Sequence, residues 1–183
     1  MHRFTLKLFL VVLFASIAIP AFADLNNADV TVNYLYPEIG DIYQVLGTGT
    51  VTDSGFTVNS FGQHDFTVFP TEFTLTNITD TEINFTAADF NGYQIVVNSG
   101  GSPIIGVTLL FSDVDGFDIS RVTFDDHDVW LNMEGLTTTP GLDLEIGLQF
   151  AGGTTPEPSS LLLFGSGAIA VIGVVRRKLR LKA

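Results

Sequence analysis

Apolar and polar residues alternate with a period of two along most of the chain between positions 24 and 153. Leu142, Leu144, Ile146, Leu148 and Phe150 interleave with Asp143, Glu145, Gly147 and Gln149. That is the pattern of a strand with one face in a core and the other in water. Phe73 and Leu75 interleave with Thr74 and Thr76, and Ile83, Phe85 and Ala87 with Glu82, Asn84 and Thr86. The same reading predicts strands at Val30–Tyr34, Tyr43–Val51, Phe56–Ser60, Asp65–Phe69, Gln94–Asn98, Ile104–Phe111, Val122–Phe124 and Val129–Met133. Threonine and phenylalanine, frequent here, suit a pleated surface. Turn signals separate the strands at Asp53-Ser54-Gly55, Asn91-Gly92, Ser99-Gly100-Gly101, Asp115-Gly116 and Pro140-Gly141. No stretch of this region has a helical period of useful length. The expected fold is all-β: an antiparallel β-sandwich, with a jelly roll as one topology that fits the strand count.

Both ends of the chain break the pattern. Residues 1–23 have a basic start (Arg3, Lys7), an apolar stretch Leu8–Ile19 and the small-residue site Ala21-Phe22-Ala23, which reads as a secretory signal peptide cleaved after Ala23. At the other end, Gly152-Gly153-Thr154-Thr155 reads as a linker. Pro156, Glu157 and Pro158 follow; the two prolines fix φ and remove backbone donors, which keeps the segment extended and open to a protease. The apolar run Leu161–Val175 is a membrane-helix candidate, because lipid offers backbone polar groups no partner but each other. As a helix it reaches roughly 22 Å against a hydrocarbon core of about 30 Å. Ser159, Ser160 and snorkelling arginines bring it to the bottom of the spanning range. Arg176, Arg177, Lys178, Arg180 and Lys182 form a membrane-stop cluster that stays cytoplasmic. This is a marginal anchor, suited to temporary retention.

That order of a Pro-Glu-Pro tripeptide, a short glycine-containing helix and an arginine-rich end resembles the PEP-CTERM sorting signal. The resemblance covers only about residues 154–183. It implies an exported protein that a membrane-embedded exosortase cleaves near Pro156-Glu157-Pro158, in a Gram-negative bacterium making extracellular polysaccharide. The expected partners are therefore the exosortase, the inner membrane for a time and exopolysaccharide; the expected destination is the cell surface or the medium, within a matrix or biofilm. The resemblance implies no role for residues 24–153, since such proteins share the signal and not the domain in front of it.

Charge and cysteine narrow the chemistry. All 20 acids lie between Asp24 and Glu157, while two of the 8 cations sit in the signal peptide and five in the tail, leaving Arg121 alone. The exported part through Ser160 is thus near −19, which the whole-chain value of −12 conceals. Nucleic-acid binding is excluded for want of a basic surface. With no cysteine, thiol catalysis, iron–sulfur clusters and cysteine-ligated zinc are excluded too.

Few residues in the middle piece point to chemistry. Asp113, Asp115 and Asp118 surround Gly116, and hard oxygens in a tight loop suit calcium. The glycine stands fourth rather than sixth and Phe124 holds the twelfth place, so the loop is not an EF-hand; a solvated hairpin turn explains it better. Asp125-Asp126-His127-Asp128 reads as a surface loop before the strand of Trp130. His64 beside Asp65 imitates part of a Ser–His–Asp triad, without any nucleophile-elbow motif. Asn77-Ile78-Thr79 and Asn84-Phe85-Thr86 match the glycosylation pattern but read as strand threonines. Trp130, Tyr34, Tyr36, Tyr43 and Tyr93 suit either a sugar-stacking platform or a core. The resulting expectation is a non-enzymatic envelope or matrix protein without a resident cofactor. The alternative is a calcium-dependent carbohydrate-binding module.

Overall fold

The computed structural model describes residues 23–152. Most of the predicted signal peptide, the Pro156-Glu157-Pro158 tripeptide, the Leu161–Val175 helix candidate and the basic cluster lie outside the described residues. Among the described residues no helix is long and apolar enough to cross a membrane.

Twelve strands follow in order: β1 (Asp29–Leu35), β2 (Ile42–Thr50), β3 (Phe56–Ser60), β4 (His64–Val68), β5 (Glu72–Asn77), β6 (Ile83–Asn84), β7 (Gly92–Ser99), β8 (Ile104–Ser112), β9 (Val122–Phe124), β10 (Asp128–Asn132), β11 (Thr137–Thr138) and β12 (Gly141–Phe150). One five-stranded sheet has the order β2-β1-β7-β10-β9 and the other β3-β4-β5-β12-β8, while β6 and β11 form a small separate pair. All strand pairs are antiparallel. The only helical turn among the described residues is the 3₁₀ segment Ile119–Arg121.

The predicted alternation is what builds the core. Val30 and Val32 of β1, Ile95 and Val97 of β7 and Val129 and Leu131 of β10 are buried against Phe66 and Val68 of β4, Phe73 and Leu75 of β5 and Leu144 and Ile146 of β12. Phe66 stacks on Phe73 at 5.3 Å and on Tyr93 of the opposite sheet at 4.9 Å. Gly92 lets β7 and β10 close up, since a Cβ there would lie 2.0 Å from the Leu131 carbonyl oxygen.

The last strand departs from its own pattern at one point. Leu142 pairs with Thr76 and Leu144 with the next residue, Leu75, so Asp143 is an extra, bulged residue. Strict alternation turned Asp143 to solvent; the bulge buries it completely beside Leu144. Leu144, Ile146 and Leu148 are buried as expected, and Phe150 is partly buried at the strand's end. A second departure is Ile83–Ala87, of which only Ile83 and Asn84 form a strand, paired with Thr137–Thr138.

Strict antiparallel pairing sorts the connections to two ends of the sandwich. The first described residues, the last ones and the loops 51–55, 69–71, 100–103 and 125–127 share one end. There Ser102 N donates to Asp24 O (3.1 Å), Leu25 N to Pro70 O (2.9 Å), Ile104 N to Asp126 O (3.0 Å) and Ala151 N to Pro103 O (2.8 Å). The loops 36–41, 61–63, 78–91, 113–121 and 133–140 gather at the opposite end. Both ends of the described chain thus lie at the end of the sandwich away from the long loops.

Candidate functional site

The long-loop end carries the chemistry that the domain has to offer, and buried polar side chains hold it in place. His64 heads β4 and is 2% exposed; its Nε2 lies 2.8 Å from Thr138 Oγ1. Burial pushes its pKa down to about 4. The bulged Asp143 accepts from Asn77 N through Oδ2 (2.8 Å) and from Thr139 N through Oδ1 (3.0 Å). Burial pushes its carboxyl up to about 6, aided by the charge of Asp113 and opposed by those two N–H groups. Asn77 in turn accepts from Thr79 N (2.9 Å) and donates to Thr81 O (2.9 Å). These bonds join β4, β5, β12 and the loops 78–82 and 137–140, with little room for those loops to move.

On this frame sits a ring cluster. Tyr34 at the end of β1 meets Phe61 at 5.0 Å and Tyr43 at 6.4 Å, Tyr43 meets Phe61 at 6.1 Å, and Tyr36 meets Tyr43 at 6.4 Å, all edge to face. Tyr43 is 65% exposed and Phe61 46%. Desolvation pushes the Tyr34 hydroxyl up to about 12, and it donates to Asn91 Oδ1. Phe61 and Gly62 have φ of 56° and 71°, and Gln63 N donates to Ser60 O at 2.9 Å, as in a type I′ hairpin turn. Asn, Asp or Gly normally fills the first of those places. A phenylalanine there costs about 1 kcal/mol or more, and the turn aims an aromatic ring at Tyr34 and Tyr43.

The same end also carries an open groove of about 620 Å³, with Glu38, Asp89, Glu134, Thr123 and Asn132 around Arg121. Arg121 donates from Nη1 to Glu134 O at 2.9 Å, and its Nη2 lies 3.7 Å from the Glu134 carboxylate. The one cation of the domain is therefore already used in holding the loop 133–135. Nearby side chains can act as hydrogen-bond donors and acceptors toward a hydroxylated ligand.

The residues singled out in the sequence fall in different places. Tyr34, Tyr36 and Tyr43 come together, whereas Tyr93 is buried in the core. Trp130 lies in one row across the outer face with Val45, Asn33, Gln94 and Thr123. Phe61 was missed, because Phe-Gly is a weak turn signal and only its φ reveals it. His64 is buried, while Asp65 takes the other face of β4 and accepts from Asn59 Nδ2 at 3.0 Å, so the two cannot work as a relay. Asn77 is buried with its amide fully occupied, which removes the first glycosylation pattern. Glu72 and Glu145 approach on the outer face of the second sheet; burial and then the Glu145 charge raise the pKa of Glu72. They stand on an open face and not in a cleft.

Asp113, Asp115 and Asp118, the candidate calcium ligands, are not gathered into one group. Among the described residues no group of three or more His, Asp or Glu side chains is placed to hold a metal ion. Asp118 turns away to cap the 3₁₀ turn, accepting from Ser120 N at 2.9 Å, and its hydrogen bonds with Ser120 hold its carboxyl below the ordinary value. Asp113 follows β8 and donates its backbone N–H to Asp143 O at 2.8 Å.

A comparison with known families decides what lies beyond the domain. Residues 154–178 match the PEP-CTERM protein-sorting motif. The chain carries an exosortase sorting signal. The PEP-CTERM motif marks it for export and membrane-transit sorting with an exosortase as processing partner, and the match leaves the β domain itself outside. No curated protein and no solved structure matches the chain.

Proposed function

We propose that this is a non-enzymatic envelope or matrix protein, anchored briefly by Leu161–Val175, cut near Pro156-Glu157-Pro158 and left at the cell surface or in the medium. The PEP-CTERM motif at residues 154–178 carries this reading. An exported part near −19 is soluble once it is cut free. Mass spectrometry of the extracellular form should find its last residue near the tripeptide. Glu157→Ala should leave uncut chain in the membrane with the β domain still folded. A mature protein ending at Ala183 in cells with an active exosortase would reduce the tail to a plain anchor.

The exposed rings of Tyr43 and Phe61, at the end away from both chain exits, favour a second reading in which the domain binds carbohydrate. Aromatic rings pair with the apolar faces of pyranoses, and a surface near −19 repels acidic polysaccharide, which makes a neutral one the probe of choice. Calcium would enter only through the Asp113 loop, so calcium dependence and sugar binding are tested together. Sedimentation with an insoluble neutral glucan should carry the protein down equally in calcium and in a chelator. Tyr43→Ala should lower the bound fraction at least fivefold. Unchanged sedimentation of Tyr43→Ala ends the reading, and loss in chelator alone restores the calcium site.

A further inference from the structure

Among the described residues β8 is an edge strand that pairs with β12 on one side and with no strand on the other. On that open side the 125–127 loop meets only its start, through Ile104 N and Asp126 O. Edge strands usually carry charge or proline to stop them from pairing with another molecule. Ile104–Ser112 contains neither. Instead Ile105, Leu109, Leu110 and Phe111 are 57%, 36%, 52% and 43% exposed. Phe124 of β9, the edge of the other sheet on the same side, adds a ring that is 39% exposed. Two register breaks contribute to this. Phe150 pairs with Ile104 and Gln149 with Gly106, while Ile146 pairs with Leu109 and Glu145 with Phe111. Ile105 and Leu110 are therefore the skipped residues, and they are the two most exposed apolar side chains of the strand. Between them Gly106–Leu109 keeps regular pairing.

We infer that this edge is an interface between two copies of the chain, β8 lying antiparallel to β8 about a twofold axis near Thr108. Charge selects the occupant. None of the 20 acids falls in Ile104–Ser112, so the strand is a neutral apolar strip on a surface near −19. A basic peptide would find no carboxylate along it, and an acidic one would be repelled by the rest of the domain. A second β8 is equally neutral, and it matches apolar side chains with apolar side chains. Direction follows from Asp113, just past the strand. Antiparallel pairing keeps the two copies of Asp113 at opposite ends, roughly 30 Å apart for nine residues. Parallel pairing would set them side by side. The isologous contact joins two five-stranded sheets into one and leaves no further β8 edge open.

β2 is the natural comparison. It too is an uncharged edge, with Ile42, Tyr43 and Val45 exposed. Its Tyr43 ring, however, packs on Tyr34, Tyr36 and Phe61 of the same molecule.

The chain has no cysteine, so an introduced one reports alone. The full chain carrying Thr108→Cys, expressed with its export signals and treated with a mild oxidant, should run as a disulfide dimer on a non-reducing gel. Ile105→Cys should stay monomeric, because antiparallel pairing sets it opposite Phe111 of the other copy. Mixing chains with Ile105→Cys and Phe111→Cys should restore the dimer. Adding Leu110→Lys to Thr108→Cys should cut the dimer at least fivefold while protease resistance shows the fold intact. Raising salt should increase the yield by screening the repulsion. Val45→Cys on β2 is the collision control. A monomeric Thr108→Cys chain, equal yield from Val45→Cys, or a dimer from Ile105→Cys alone would each overturn the interface as drawn.

Discussion

Ile146→Asp should unfold the β domain or bring it to the edge of unfolding. Ile146 is fully buried in β12, paired with Phe73 of β5 on one side and Leu109 of β8 on the other. An aspartate there loses the apolar contacts and brings in a charge without a partner. The only cation among the described residues is Arg121, which is tied to Glu134 in the long-loop end. An uncompensated buried charge costs about 3–5 kcal/mol, and the emptied volume adds more. Total stabilities of such domains run at about 5–15 kcal/mol, so this one change removes most of the margin. Urea denaturation followed by circular dichroism should show the cooperative transition lost or moved far down. Ile146→Val should shift it by about 1 kcal/mol. An aspartate variant within about 1 kcal/mol of the parent would mean that β12 does not sit where the alternation and the register put it.

The second large effect lies in the two buried titratable groups, whose contributions oppose each other. His64 titrates near 4 in the fold against an ordinary 6.5. Between those values the unfolded chain holds more protons, so acidification through this window destabilises the domain. Asp143 titrates near 6 against 3.8. Between these values the folded chain holds more protons, so the same acidification stabilises it, and that gain is lost again as pH rises through 6. Each group is worth about 3 kcal/mol across its window, with opposite sign. In the parent protein the two slopes largely cancel between pH 4 and 6. Asp143→Asn should unmask His64, making the variant lose about 3 kcal/mol relative to the parent's behaviour as acid protonates the Asp143 of the parent alone. His64→Gln should do the reverse and gain a similar amount on acidification. Stability measured from pH 4 to 7 for the three proteins checks this, because the exposed carboxylates are common to all. Parallel curves would show that the two side chains do not titrate in the fold as their burial requires.

The strands were legible because a pleated sheet translates sequence into geometry with a period of two. β3 and β9 agree with expectation to the residue, and most others within two. The alternation also named the buried faces of β5 and β12, since a one-residue slip would turn every apolar side chain to water. The sorting motif was legible for a different reason: a protease and a membrane read a linear segment, with no partner strand needed to complete it. Sequence by itself therefore determined the fold class, the core-facing side of β5 and β12 and the sorting motif.

Tertiary structure decided everything that depends on which strands become neighbours. Asp143 reads as a solvent residue until the register of β12 against β5 makes it a bulge and closes it over Asn77 and Thr139. His64 acquires its partner from Thr138, far along the chain, and its depressed pKa from the burial that the two packed sheets impose. Tyr34, Tyr43 and Phe61 become one patch only because two sheets end at the same place and a left-handed turn points Phe61 at the two tyrosines. The acids of the 113–118 loop suggested a metal site by composition, yet the cap on Ser120 uses Asp118 elsewhere. β8 looks like any other strand in sequence, and its position at the sheet edge alone leaves its apolar residues uncovered. Local patterning sets which face of a strand is apolar; long-range pairing sets whether that strand has a neighbour, and which polar groups it encloses.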